Sequence, residues 1–195
     1  MIIYFYMGKL LDKNRPISWS NISLFEYDKN LWYKKYVLGE EQPTNKEMKF
    51  GKMIADSMQT DTPIVPFVKY SNVEFELKGK FGDIPLIGFI DTYEPHKKLR
   101  EYKTGKRLWD QKRADTHKQI DMYLFMIFLL YGVKPEDIEI YLDWAETVEN
   151  GDFTISLKEP VDIKSFKIEK TTDDILKFGV YLNKIYKEML STVVY

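Results

Sequence analysis

Three residues in the stretch FIDTYEPHKKLREYKTGK, positions 89–106, have types and spacing suited to chemistry. Asp91 closes an apolar run. Glu101 follows ten residues later and Lys103 two after that. A hairpin can bring Asp91 beside Glu101, and strand alternation puts Glu101 and Lys103 on one side with Tyr102 on the other. Two carboxylates a few ångströms apart repel each other and shift their pKa values unless a cation lies between them. Hard oxygen donors of this kind suit Mg²⁺ or Mn²⁺. A lysine beside them can orient or help deprotonate a water, or neutralise charge developing on a transferring phosphoryl group. Acid, acid and lysine around a divalent ion is chemistry for cutting phosphodiesters. Alone, the Glu-x-Lys pair has a plainer reading, a surface ion pair of Glu101 with Lys103 or Arg100 worth ~0–1 kcal/mol.

The elements that must position these residues are legible in the pattern. SWSNISLFEYDKNLWYKKYVLGEE reads as one helix, capped by Ser18 or Ser20 and stopped at Gly39. TNKEMKFGKMIADSMQ reads as a second, with Thr44 and Glu47 forming a capping box and Met48, Met53 and Ile54 on its buried side. Strands are expected at 73–81, 84–91 and 99–103, the first two joined by a Gly82-Asp83 turn and the third central. A long helix over 110–131 ends before Gly132. Strands near 138–144, 153–157 and 165–169 follow, then a helix opened by Thr172-Asp173-Asp174. The order implies an α/β fold with a mixed central sheet flanked by helices.

The 195 residues suit one domain spanning 1–195, and 44% apolar content argues against disorder. Cysteine is absent, which excludes disulfides, thiolate zinc sites and iron–sulfur clusters. It also fits a cytoplasmic location. The start MIIYFYMGK has no basic region or small-residue cleavage site and is not read as a leader. The longest apolar run, 122–131, is half of the roughly 20 residues a membrane span needs. Charge is unevenly spread: residues 96–118 hold nine Lys/Arg against three acids, and 134–174 hold five lysines against twelve acids. This asymmetry fits a polyanion-binding face with an acidic back, or a well-solvated loop.

The ordered set IGFID (Gly88 to Asp91), LREYKTGK (Glu101-x-Lys103) and QIDMY (Gln119-x-x-x-Tyr123) resembles the RecB-type nuclease branch of the PD-(D/E)XK superfamily. SNISLFEYDKNLWYKKYV is similar to that branch's opening helix, so the resemblance touches residues 20–131. It implies a restriction-endonuclease-like core and a Mg²⁺- or Mn²⁺-dependent deoxyribonuclease, in the main an exonuclease. DNA would be its partner, in repair, recombination or the processing of phage or foreign DNA. Asp91 and Glu101 would ligate the ion, with the Tyr102 carbonyl as a further ligand, and Lys103 would be the catalytic lysine. Gln119 and Tyr123, one helical turn apart, would line the site and contact DNA or hold Lys103. Lys106 and Arg107 would hold phosphates.

Two departures from the family pattern stand out. The family's helix histidine is Ala55 here, which puts activity or ion number in question. Glu47, on the face shared by Gly51 and Ala55, is the first candidate to replace it and Asp56 the second, the alternative for Glu47 being its capping-box role. His96 and His117 are read as exposed or phosphate-facing. Some relatives, including CRISPR-associated spacer-processing and AddB-type repair nucleases, carry an iron–sulfur cluster; with no cysteine this chain would be a cluster-free version. The rival readings are a catalytically impaired DNA- or partner-binding module of the same fold, and an unrelated α/β interaction protein.

Overall fold

The computed structural model describes residues 15–152 and 154–193; the start MIIYFYMGK lies outside them, as does Phe153. Helix α1, Trp19–Tyr27, begins where the Ser18 side chain accepts the Asn21 N–H. The single helix expected through Leu38 breaks at Asp28. That carboxylate accepts the Asn30 and Leu31 N–H groups, both at 2.9 Å, and starts α2, Lys29–Trp32. An aspartate here satisfies the orphan donors of a new helix better than it continues an old one. The chain then widens into a π-helical turn, Tyr33–Leu38, which ends on Gly39 at φ 73°, where a Cβ would be strained.

Helix α3, Lys46–Met58, starts on Asn45, whose side chain accepts the Met48 N–H at 2.7 Å. The cap therefore falls one residue later than expected, and the Thr44–Glu47 capping box does not form. Glu47 is left with no hydrogen bond or ion pair to any described residue. The buried side of α3 is Ile54 and Met58, while Met48 and Met53 are exposed.

Strands β1, Asn72–Phe81, and β2, Ile84–Glu94, form the expected hairpin. Strand β3, Lys98–Gly105, runs antiparallel to β2 and parallel to β4, Glu139–Glu149. A parallel neighbour requires a crossover. It is supplied by α4, Gln111–Asp115, and α5, Lys118–Tyr131. These replace the one long helix expected, because His117 takes an extended conformation and packs edge-on between the rings of Trp19 and Trp109, at 6.4 and 5.1 Å. His117, expected to be exposed or phosphate-facing, is half-buried between these rings with its Nε2 shielded from solvent; His96 is exposed. Strands β5, Ile155–Leu157, and β6, Ile163–Ile168, both pair antiparallel with β4. Helix α6, Thr172–Val193, closes the described chain. The result is a mixed α/β fold whose six-stranded sheet is flanked by helices. Among the described residues, no helix is long and apolar enough to cross a membrane.

Alternation along β4 feeds two cores. Ile140, Leu142 and Trp144 enter the one packed with α1, α5 and α6, and Ala145 enters the one packed with α3. On the α3 side, Arg100 Nη1 donates to both oxygens of buried Asp143 at 2.8 Å, and its guanidinium lies 4.2 Å from the centre of the Tyr141 ring. Ser165 Oγ donates to the same carboxylate at 2.6 Å. This network locks β3 to β4 one residue before Glu101. Asp143→Ala leaves the Arg100 charge enclosed without its partner and is expected to destabilise the fold by about 3–5 kcal/mol in urea titrations. The apolar double change Arg100→Met with Asp143→Leu should recover most of that loss.

Candidate active site

The site forms where the sheet comes apart. Pairing between β2 and β3 covers only Thr92↔Arg100 to Glu94↔Lys98. The next pair in register would be Asp91 with Glu101. Instead the Asp91 Oδ2 accepts the Tyr102 N–H at 2.5 Å, a side chain taking over the ladder bond. Beyond it, β3 keeps its pairing to β4 alone, through Gly105. The open edge lines a cleft of about 540 Å³ whose other wall is α3.

Strand β1 is distorted at the same level. Glu74, opposite Asp91 in the β1–β2 register, has φ 51°, a left-handed value costly for a residue with a side chain, roughly 1–2 kcal/mol. Residues two apart on a strand share a face. Yet Phe75 packs in the first core and Val73 in the second, so the strand exchanges its faces at Glu74. On β2, Ile90 and Tyr93 are both buried in the first core although three residues apart. The two irregularities flank Asp91 and aim it at the gap between β2 and β3.

A chain of hydrogen bonds fixes the lysine. Lys103 Nζ donates to Glu101 Oε1 at 2.5 Å and to Gln119 Oε1 at 2.9 Å. Gln119 Nε2 donates to the Tyr123 hydroxyl at 2.6 Å, and that hydroxyl donates to the Phe89 carbonyl at 2.5 Å. Gln119 and Tyr123 stand one turn apart on α5, as their spacing requires. Gly88 makes room for this: a Cβ there would lie 2.9 Å from the Tyr123 ring. Tyr102 is pinned on the opposite side of β3, stacked on Phe67 at 4.5 Å and donating its hydroxyl to the Val68 carbonyl.

Electrostatically the pocket is short of positive charge. Glu101 is 1% exposed and its Oε2 has no hydrogen-bond partner. Burial raises its carboxyl above the usual range, against the pull of Lys103. Asp91 is held well above the usual range by burial and then by the Glu101 charge. Burial, with the nearby charge of Lys103, pushes His117 down to about 3, so it is a neutral ring.

The structure gathers Glu47, Gly51, Ala55, Asp91, Glu101, Tyr102, Lys103 and Gln119 around the one cleft. Tyr123 is 3% exposed, and its hydroxyl turns to the chain rather than the solvent. Lys106 is exposed and ion-paired to Glu149, which also binds Lys46. Arg107 is exposed, and its carbonyl accepts from Arg113. Asp56 is exposed and pairs with Lys52. Sequence reasoning passed over Glu74, since only the strand register and its φ bring it to Asp91.

Among the described residues, no three His, Cys, Asp or Glu side chains stand grouped closely enough to hold an ion. The Asp91–Glu101 pair nonetheless suits one: hard oxygens, an orphaned buried Oε2 and more negative charge than one lysine balances.

The sequence matches no family model and no curated protein. The fold matches a crystal structure described as "Putative exonuclease" from Eubacterium rectale, with TM-score 0.65 and 11% identity, covering 96% of this chain and 84% of that one. At that identity the likeness is one of fold.

The raised carboxyls give a signed pH dependence. Between the unfolded value of 3.8 and its folded value, Asp91 binds more protons folded than unfolded, so stability falls as pH rises through that window. Asp91→Asn keeps an acceptor for the Tyr102 N–H and removes the charge. In chelator, the variant is expected to melt higher than wild type near neutral pH. The gap should close toward pH 3.8, in thermal melts run over about pH 4 to 8.

Proposed function

We propose that this chain is a deoxyribonuclease dependent on Mg²⁺ or Mn²⁺, a cluster-free member of the RecB-type branch of the PD-(D/E)XK superfamily. The observation that carries the reading is Lys103, tethered between Glu101 and Gln119 at a cleft floored by an undercompensated acid pair. The sequence motifs support it, and so does the fold shared with the Eubacterium rectale protein. In this reading residues 1–195 form one nuclease domain, working in the cytoplasm as an exonuclease in DNA repair, recombination or phage-DNA processing.

Asp91 and Glu101 would hold the ion, with the Tyr102 carbonyl and Glu47 as further ligands. When bound, the ion supplies an activated water for attack on phosphorus and charge for the leaving oxygen. Lys103 neutralises charge that develops on the phosphoryl oxygens. Gln119 keeps the ammonium in place, and buried Tyr123 acts by holding Gln119. Lys106 and Arg107, exposed beyond β3, take the flanking phosphates; the Lys106–Glu149 pair is on the surface and weak enough for a phosphate to displace. A second reading, a non-catalytic DNA- or partner-binding module, is favoured by Ala55, which lines the cleft without any donor group.

Purified protein is expected to cleave linear, nicked or single-stranded DNA with Mg²⁺ or Mn²⁺. Lys103→Ala should slow cleavage by about 10²–10³ and leave Mn²⁺ binding intact. Cleavage of none of these substrates would establish the non-catalytic reading. Mn²⁺ should raise the melting temperature of wild type, and Asp91→Ala should abolish the rise. Glu47→Gln should weaken Mn²⁺ binding in calorimetric titration; unchanged affinity would remove Glu47 from the ligand set, and Asp56→Asn would be the next variant to titrate.

A further inference from the structure

We propose that Glu74, on β1, is a carboxylate ligand of the cation held by Asp91 and Glu101. The inference rests on the proposed nuclease reading and extends its ligand set to a strand from which no ligand was expected. Three observations carry it.

The first is position. Glu74 stands opposite Asp91 in the strand register, between Val73↔Thr92 and Phe75↔Ile90. It is the one described residue of β1 with a left-handed backbone. Glycine occupies such conformations without strain, and β1 has a glycine at position 79, yet a glutamate is placed here. The second is the lack of a partner. Glu74 is half-buried and makes no hydrogen bond or ion pair with any described residue. Lys52, the cation whose charge reaches it, is paired instead with Asp56. The third is Glu101, 1% exposed, whose Oε2 is buried and unpartnered beside Asp91, within reach of the Glu74 charge.

The charges of these three carboxylates act on one another, with one tethered lysine among them, although as placed they do not stand close enough together to share an ion. Like charges hold them apart, and a divalent ion with oxygen preference is the species that would draw them together. The glutamate side chain, with its three rotatable torsions, is the part that would move toward the ion. The ligand would approach from the sheet, where Ala55 on α3 offers no donor.

The test is Mn²⁺ titration calorimetry on the full chain, with thermal melts in chelator as a check on folding. Glu74→Gln is expected to weaken Mn²⁺ binding about tenfold or more without lowering the chelator melting temperature, since one of three mutually repelling charges is gone. Glu74→Gly should relieve the backbone, raise the chelator melting temperature and lose the same affinity, so it reports even if the glutamine variant folds poorly. Affinity within about twofold of wild type in either variant, while Asp91→Ala abolishes binding, overturns the assignment of Glu74 and leaves the nuclease reading standing. Retained binding in Asp91→Ala would show that the acid pair does not hold the ion, and both readings would fall together.

Discussion

Placing a buried carboxylate, Glu101, beside a half-buried one, Asp91, with a single lysine to answer them is the constraint on which the rest of this structure depends. Desolvation penalises each charge, and the neighbour's charge adds to the penalty. The protein meets this by immobilising the lysine. The ammonium is fixed through Gln119 and Tyr123 to a backbone carbonyl on β2, so its position is inherited from the sheet and not from solvent. On the reverse side of β3, the Arg100–Asp143 network and the Tyr102–Phe67 stack keep the strand from relaxing. A strand held on both faces can keep an unfavourable residue such as Glu101 at full burial.

The same constraint explains why the sheet is irregular here. A regular β2–β3 ladder would pair Asp91 and Glu101 through their backbones and leave no opening. Ending the ladder at Thr92 lets the Asp91 carboxylate bond to the Tyr102 N–H, and the freed edge of β3 becomes the floor of a cleft. The left-handed backbone at Glu74 turns β1 at the same level. Strain of this kind persists only where surrounding packing over-determines it. The enclosed neighbours Ile90, Tyr93 and Leu77 supply that packing.

Helix α3 forms the other wall of the cleft. It brings Glu47 and Met48 to the cleft and rests on the second core through Ile54 and Met58. The strongly positive stretch 96–118 divides between these tasks. Lys103 serves the acid pair, Arg100 the β3–β4 lock, and Lys118 pairs with Glu26. Lys106 pairs with Glu149 on the surface, and Arg107 is exposed beyond the end of β3. Part of the apparent positive face is therefore structural.

The sequence by itself determined the element types, the central place of β3, the Gly82-Asp83 hairpin and the grouping of Asp91, Glu101 and Lys103, because these depend on local alternation and spacing. The i,i+4 relation of Gln119 and Tyr123 was legible for the same reason. Interruptions inside elements were not. The break at Asp28 and the shift of the α3 cap from Thr44 to Asn45 turn on which of several competent side chains reaches an orphan N–H. The split at His117 depends on two tryptophans distant from each other in sequence. Only the tertiary structure decided that Tyr123 faces inward, that Glu47 is freed from capping, and that Glu74 lies across from Asp91. Each of these follows from strand register and burial, and both are set by contacts between residues that no local pattern connects.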